Sequence, residues 1–302
     1  MYRTRIAPSP TGDMHLGTAR TAYFNWLVAK ASGGELILRI DDTDIGRSDE
    51  SKIRDIYTVM GWLSLDYSLL VRQSYRFDRY RQVASALVDD GFATKQDDGA
   101  TLLSLEDYWK LACGETWKDE ISDKIKITDD DFKYVSTMPI IKSDGSPTYN
   151  FASVVDDIDF EINYVIRGVD HLKNTSKQVI LYCVLRILQA HSRELFDVAI
   201  VLPKYAHVGL LFKDNKKLAK RDGAASMISY MDSGIDPEAM LNFLLRLGWG
   251  PTVDDKYTAV IPRDKAIQLF LDGGNMRNSP ANIDLQKLKS FDRKYKGRKS
   301  QQ

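Results

Sequence analysis

The apolar positions of this chain change their period along its length, and each change marks an element. Residues 3 to 6, RTRI, predict a short strand; the Pro-, Gly- and Ser-rich stretch APSPTGDMHLG predicts a tight loop, and TARTAYFNWLVAKAS after it a helix. Gly33 and Gly34 stop that helix, and ELILRI, apolar nearly throughout, suits a buried strand that ends abruptly at DDTD. Strand, loop, helix and strand in this order predict a parallel β-α-β unit. Ile53, Ile56, Tyr57, Val59 and Met60 carry helical spacing over residues 51 to 62, and a further helix is expected from about Arg76 to Asp90. From Thr94 to about Ser143 the period loosens into runs such as KQDDG and ITDDD, which predicts an insertion on the sheet rather than more of it. The apolar pattern returns in YNFASVVDDID and YVIRGVDH, followed by a helix from about Asn174 to His191 with Val179, Leu181, Val184, Leu185 and Leu188 on its apolar face. From residue 236, DPEAMLNFLLRLGW opens a mainly helical region, and FDRKYKGRKSQQ reads as a basic tail with too few apolar residues to bury.

A length of 302 residues allows one large α/β domain with smaller modules, and the 28% charged and 43% hydrophobic content excludes wholesale disorder. Forty-two basic residues balance forty-two acidic ones, so any surface for a polyanion must come from local clustering. Cys113 and Cys183 stand far apart with no CxxC pair, which removes a disulfide framework and a sulfur-rich zinc site and fits a reducing compartment. No segment reaches the roughly twenty apolar residues that cross a bilayer, so a cytoplasmic protein without a membrane partner is expected.

The first loop carries the first sign of chemistry. Gly12 and Gly17 bracket a Pro-rich turn with His15 between them, so backbone can approach a ligand just before a helix N-terminus, where phosphate is the natural guest. The spacing fits neither GxGxxG nor GxxxxGK[ST], and a glycine loop by itself is as often a plain turn. Asp41 ends a strand at the edge where open α/β sheets bind ligands, and its carboxylate is a candidate for a substrate ammonium, or else caps a turn. Arg47 follows close enough to reach the same crevice, although an exposed arginine is the default.

The string from Arg5 to Gly17, RIAPSPTGDMHLG, resembles the opening of bacterial-type glutamyl-tRNA synthetases, a class I aminoacyl-tRNA synthetase family. The resemblance continues in order through GGELILRIDDTD, DGSPTYNFASVVDD, VIRGVDH, YAHV, KKLAKRDGA and PEAMLNFLLRLGW, over nearly the whole chain. It implies an α/β fold with a Rossmann-like parallel sheet, in which HLG is the HIGH-type motif and KKLAKR the KMSKS-type loop. It further implies a first half-sheet over residues 1–92, an inserted acceptor-binding subdomain over 93–143, a second half-sheet over 144–235, and a helical stem-contact region with its tail over 236–302. Glutamate and ATP would be joined as an adenylate and the glutamyl group passed to the acceptor arm of tRNA, by a monomer using Mg²⁺ and no zinc. By the same resemblance His15, Lys217 and Lys220 assist the chemistry, and Arg5, Ala7, Ser9, Asp41, Tyr149 and Arg167 surround glutamate. Gly12, His15, Gly17, Asp170, Lys217 and Lys220 would face the nucleotide. Arginine is the suited partner for the side-chain carboxylate because its planar fork binds two oxygens at once, which singles out Arg5 and Arg167.

The chain departs from the family pattern at Asp41, where Glu is usual, and at Thr18, Ala219 and Val169; TKQDDGATLLSLEDYW lacks the zinc-binding cysteines of some members. The sequence stops near where the family's helical anticodon-binding domain begins. Three readings stay open: a short glutamyl-tRNA synthetase, a glutamyl-Q tRNA(Asp) synthetase, and a paralogue that supplies activated glutamate or serves as a binding protein.

Overall fold

The computed structural model describes residues 1–104, 116–121, 124–126, 136–191, 195–213, 216–217, 226–250, 252–253, 256–257, 260–270 and 276–299. Its centre is a parallel sheet of β1 (Arg3–Ile6), β2 (Glu35–Ile40), β3 (Leu69–Arg72), β9 (Tyr164–Gly168) and β10 (Lys204–Val208), in the order β10-β9-β1-β2-β3. The chain runs outward from β1 to β2 and β3, then returns to lay β9 and β10 on the other side of β1. Strand order therefore reverses between β1 and β9, the place where doubly wound sheets open a ligand crevice at the carboxyl ends of their strands.

Between the two halves lie β4 (Ala93–Lys95), β5 (Thr101–Ser104), β6 (Thr116–Lys118), β7 (Lys124–Lys126) and β8 (Thr137–Ile141), which pair antiparallel as β4-β5-β8 and β6-β7. The loosened pattern after Thr94 thus corresponds to short strands outside the main sheet. Beyond β10, β11 (Leu211–Lys213) pairs with the two-residue β12 (Lys216–Lys217).

Helices cover both faces. On one lie α1 (Leu16–Ala31) and α2 (Glu50–Trp62); on the other α3 (Phe77–Asp89), α4 (Tyr149–Asp159) and α5 (Leu172–His191). The later helices α6 (Met227–Asp232), α7 (Pro237–Arg246), α8 (Arg263–Leu269) and α9 (Leu285–Lys299) extend the α1 side, with α7 and α8 packed on α1 and α9 on α7. The strand pleat sorts the core: Leu36, Leu38 and Ile40 enter the α1 side and Ile37 the other, as the period of two requires. α1 is buried on nearly every side because sheet and helices enclose it, so TAYFNWLVA is apolar all round rather than striped. It stops where Gly33 takes φ 66°, a backbone that costs glycine little. α7 begins with Asp236 accepting from the Glu238 amide at 2.9 Å and with Pro237 in its first turn.

The expected helices fall within a few residues of their observed bounds, while β3 was not foreseen. The reading of residues 291–302 as an unpacked tail is corrected for its described part: α9 runs to Lys299, buries Leu288 and Phe291, and ties Lys296 Nζ to the Gly234 carbonyl at 2.7 Å.

Candidate active site

A cleft of about 310 Å³ opens where strand order reverses, walled by the residues after β1, the start of α1, the end of β9 and the turn before β11. Parity along the strands decides which side chains reach it. Ile6 and Ile166 turn toward the α1 side, so Arg5 and Arg167 turn to the opposite face, where they meet α4 and α5. His207 is the direct register partner of Arg167 on β10 and shares that face.

Arg5 is buried, and its Nε donates to Asp157 Oδ1 on α4 at 3.2 Å. Arg167 is 5% exposed; its Nε donates to His207 Nε2 at 3.1 Å and its Nη2 to Thr175 Oγ1 at 2.5 Å, while Nη1 is buried without a partner. Both arginines line the cleft. A buried guanidinium whose partners are neutral, with one nitrogen unsatisfied, is an unfavourable arrangement until an anion arrives. Tyr149 and His171 stand on the same wall, the Tyr149 hydroxyl 3.2 Å from His171 Nδ1. Burial, and then the charge of Arg167, pushes the His171 imidazole down to about 4, so it is neutral near pH 7.

At the start of α1, His15 is the N-cap: its Nδ1 accepts from the Gly17 amide at 3.1 Å and from Thr18 at 3.4 Å. Accepting at Nδ1 places the proton of the neutral ring on Nε2. A Cβ at Gly17 would lie 3.1 Å from this imidazole, so glycine is what lets the ring fold back over the helix start. The start of α1 is thus capped from within. Two of the orphan amides already serve His15, and what faces the cleft is the helix dipole and the imidazole itself. Ala7, Ser9 and Gly12 complete this rim.

Asp170 follows β9 on the cleft wall, and a Cβ at Gly168 would come within 2.4 Å of its Oδ1, so only glycine allows the carboxylate to fold back there. Opposite, Arg20 of α1 is buried and donates to the carbonyls of Leu247 and Gly209, each at 2.6 Å. Burial lowers its pKa to about 10, with Asp170 opposing the shift, so it stays charged.

Asp41 follows directly on β2. It does not line the cleft; its carboxylate accepts from Arg39 Nε at 2.7 Å and Nη2 at 3.3 Å, within a buried network that joins Arg39 to Asp157 and Asp156. The strand end that made it a ligand candidate also puts it one pleat from Arg39, whose charge takes its oxygens. Burial pushes Asp41 up to about 6 even with Arg39 beside it. Arg47 is exposed and pairs with Asp44 at 2.8 Å, away from the wall. The backbone of Lys217 pairs with Phe212, next to the cleft-lining Leu211; Lys220 lies outside the described residues. Thr175, His171 and the buried His207–Asp119 pair were not singled out from the sequence, although His207 stands in the YAHV string, where a histidine at a strand end was the available signal.

The crevice at the switch point of this doubly wound parallel sheet, lined by buried arginines beside the N-terminus of the first helix, is that of an open α/β fold of the Rossmann-like class. The chain belongs to the family described as tRNA synthetases class I (E and Q), catalytic domain, which it matches over residues 1–106 and 110–295. It is 41% identical to glutamate–tRNA ligase 2 of Neorickettsia sennetsu and 38% identical to glutamate–tRNA ligase 1 of Rubrobacter xylanophilus, in each case over 97% of this chain. It spans 65% and 63% of the lengths of those two relatives. The glutamate–tRNA synthetase structure from Elizabethkingia anophelis superposes with a TM-score of 0.76 at 25% identity, over 97% of this chain and 70% of that one.

Proposed function

We propose that this chain activates glutamate with ATP and transfers the glutamyl group to the 3′ end of tRNA. The observation that carries the reading is Arg167: a buried cation on the cleft wall with neutral partners and one unpaired nitrogen, close to Arg5. A side-chain carboxylate completes that arrangement with charge-assisted bonds, which an apolar or neutral side chain cannot do. Relatives named glutamate–tRNA ligase agree with an acidic amino acid as the occupant.

In the first step an oxygen of the α-carboxylate attacks the α-phosphorus of ATP, the bond from that phosphorus to the bridging oxygen breaks, and pyrophosphate leaves with the electron pair. In the second, a ribose hydroxyl of the terminal nucleotide attacks the carbonyl carbon, loses its proton, and AMP departs. No side chain has to act as nucleophile, so positioning and electrostatics carry the rate. Ala7, Ser9 and Tyr149 would bound the amino acid; Gly12, His15, Gly17 and Asp170 would face the nucleotide, and Lys217 and Lys220 would neutralise the leaving pyrophosphate. Mg²⁺ would suit a wall that offers Asp13 and Asp170 as carboxylates and, among the described residues, no ready-made metal cluster, since this ion is held chiefly through phosphates and would screen their charge. Residues 93–143 would meet the acceptor arm and 236–302 the stem beyond it.

ATP–pyrophosphate exchange with each amino acid, run without tRNA and with tRNA(Glu) or tRNA(Asp), tests this. Among the amino acids only glutamate should support exchange, and only with tRNA(Glu) present, and labelled glutamate should appear on the 3′ end of tRNA(Glu). No exchange with any amino acid, or tRNA-independent activation followed by loading of tRNA(Asp), would overturn it.

A further inference from the structure

Arg167 does not hold its own position; it is held by a residue of the neighbouring strand, which is held in turn by the inserted segment. His207 is fully buried, and its two ring nitrogens do different work. Nδ1 lies 2.5 Å from Asp119 Oδ2, while Nε2 lies 3.1 Å from Arg167 Nε and 3.0 Å from Thr175 Oγ1. A guanidinium can only donate, so Nε2 must present a lone pair to it, and the ring proton must sit on Nδ1, directed at Asp119. The opposite tautomer would set an N–H against an N–H across a dry interface, and the doubly protonated ring would add a repelling charge.

Asp119 is well placed to enforce this choice. It is 1% exposed, and the same Oδ2 also accepts the His207 backbone amide at 3.1 Å, so its orientation is fixed from two sides. Its own segment is anchored on β10: Asp119 bridges to Tyr205, and the Glu120 amide donates to the Tyr205 carbonyl at 2.7 Å. Two residues earlier, Trp117 sets its ring edge-on to His207 with centroids 5.7 Å apart, and Tyr205, itself in contact with Trp117, stacks on the imidazole at 6.1 Å. The imidazole therefore packs against two aromatic rings, with an acceptor, Asp119, at its Nδ1 end and a donor, Arg167, at its Nε2 end.

We propose that Asp119 and His207 are positioning residues for substrate recognition: Asp119 fixes His207 as the Nδ1–H tautomer, whose Nε2 then holds Arg167 Nε and leaves Nη1 directed to the ligand carboxylate. This rests on the reading of the cleft as an acidic amino-acid site and deepens it. The inserted segment, through Asp119, sets the geometry of the amino-acid subsite although neither Asp119 nor His207 lines the cleft. It also explains why the guanidinium has neutral partners, since a carboxylate placed directly on Arg167 would compete with the substrate, whereas one placed behind a histidine orients it without neutralising it.

The test has two arms. In the first, ¹⁵N-edited spectra of histidine-labelled protein assign the His207 tautomer: the inference requires Nδ1–H in the wild type and a gain of Nε2–H in Asp119→Asn, where the amide can donate to Nδ1. A wild-type Nε2–H or imidazolium form overturns it, whatever the ligand. In the second arm, glutamate and ATP KM values are measured for His207→Ala, His207→Gln and Asp119→Asn, with thermal melts as a check that each folds. His207→Ala should raise glutamate KM roughly ten- to a hundredfold, the weight of one hydrogen bond to a charged group, with ATP KM within about twofold. His207→Gln, whose Oε1 can accept where Nε2 did, should recover most of the loss. Equal losses for both substrates, or Gln no better than Ala, reduces His207 to packing and overturns the inference. A wild type that binds no glutamate overturns the functional reading instead, and the spectra still decide the tautomer.

Discussion

Arg39 and Arg167 sit on the same face of one sheet, both buried, and the protein treats them oppositely. Arg39 makes five hydrogen bonds: to both oxygens of Asp41, to Asp157, and to the side chain and carbonyl of Ser153. These match the five donors of a guanidinium, so nothing is left for a ligand. Burial works against its charge, but Asp41, Asp157 and Asp156 outweigh that and hold its pKa well above the usual arginine value. Arg167 has neutral partners and an unpaired nitrogen. A charge neutralised internally supports the fold; one left uncompensated on a cleft wall is, under the proposed function, kept for the ligand. Arg5 stands between the two cases, with one bond to Asp157 and a place on the wall.

The comparison breaks most visibly in stability. Arg39→Met strands Asp41 and Asp157 in the interior, and urea denaturation should show a loss of about 3–5 kcal/mol, the cost of removing one partner from a buried ionic group. Arg167→Met removes a cation that has no carboxylate partner and should leave the ligand-free protein within about 1 kcal/mol of the wild type. Its effect belongs in binding: glutamate KM should rise at least about thirtyfold with ATP KM little changed. Matching stability losses in the two variants would erase the distinction.

A second difference lies in pH dependence, where the two regions have opposite slopes. Asp41 in the folded state is pushed up to about 6, above its unfolded value, so the folded protein holds the proton more tightly. Its contribution is therefore most favourable below about pH 4 and is lost as pH rises through 6, worth on the order of 3 kcal/mol. The stability difference between wild type and Asp41→Asn should shrink or reverse over that window. His171 is pushed down to about 4, below its unfolded value, so the unfolded chain binds the proton more tightly. Stability from this group is full above about pH 6.5 and is lost as pH falls toward 4. Because Arg167 supplies part of the depression, Arg167→Met should move the His171 titration upward in an NMR pH series while burial keeps it below the ordinary histidine range. An unmoved titration would mean that Arg167 does not face His171 in solution.

Much of this contrast was legible in the residues, and the rest was hidden for a physical reason. The loop from Arg5 to Gly17, the strands ELILRI and YVIRG, and the helices after them follow from apolar period and turn chemistry, which are local. Arg5, Ala7, Ser9, Gly12, His15, Gly17, Tyr149, Arg167 and Asp170 do line one cleft, but most of that set came from the resemblance of the motifs that carry them, and the local pattern by itself pointed only to the glycine loop around His15. What escaped is nonlocal. That Asp41 is claimed by Arg39 depends on which side each strand residue faces and on α4 arriving from 118 positions away to bring Asp157. That Asp119 reaches His207 across 88 positions depends on how the inserted segment docks on β10, which no periodicity encodes.

The smallest expected effect concerns a third arginine. Arg47 follows Asp41 closely in sequence, and proximity alone made it a candidate for the crevice. Its side chain is 73% exposed, and its partner Asp44, three residues earlier, is itself 45% exposed. Both charges are then screened by water, and holding two mobile side chains together costs entropy that offsets the attraction. Arg47→Ala should therefore leave the urea midpoint, glutamate KM and ATP KM all unchanged within error. A tenfold rise in either KM would show that the short helix Ile45–Arg47 swings toward the cleft when substrates bind, and Arg47 would join Arg167 as a cation kept for the ligand. No change leaves burial without an internal counter-charge as what distinguishes a recognition arginine on this sheet.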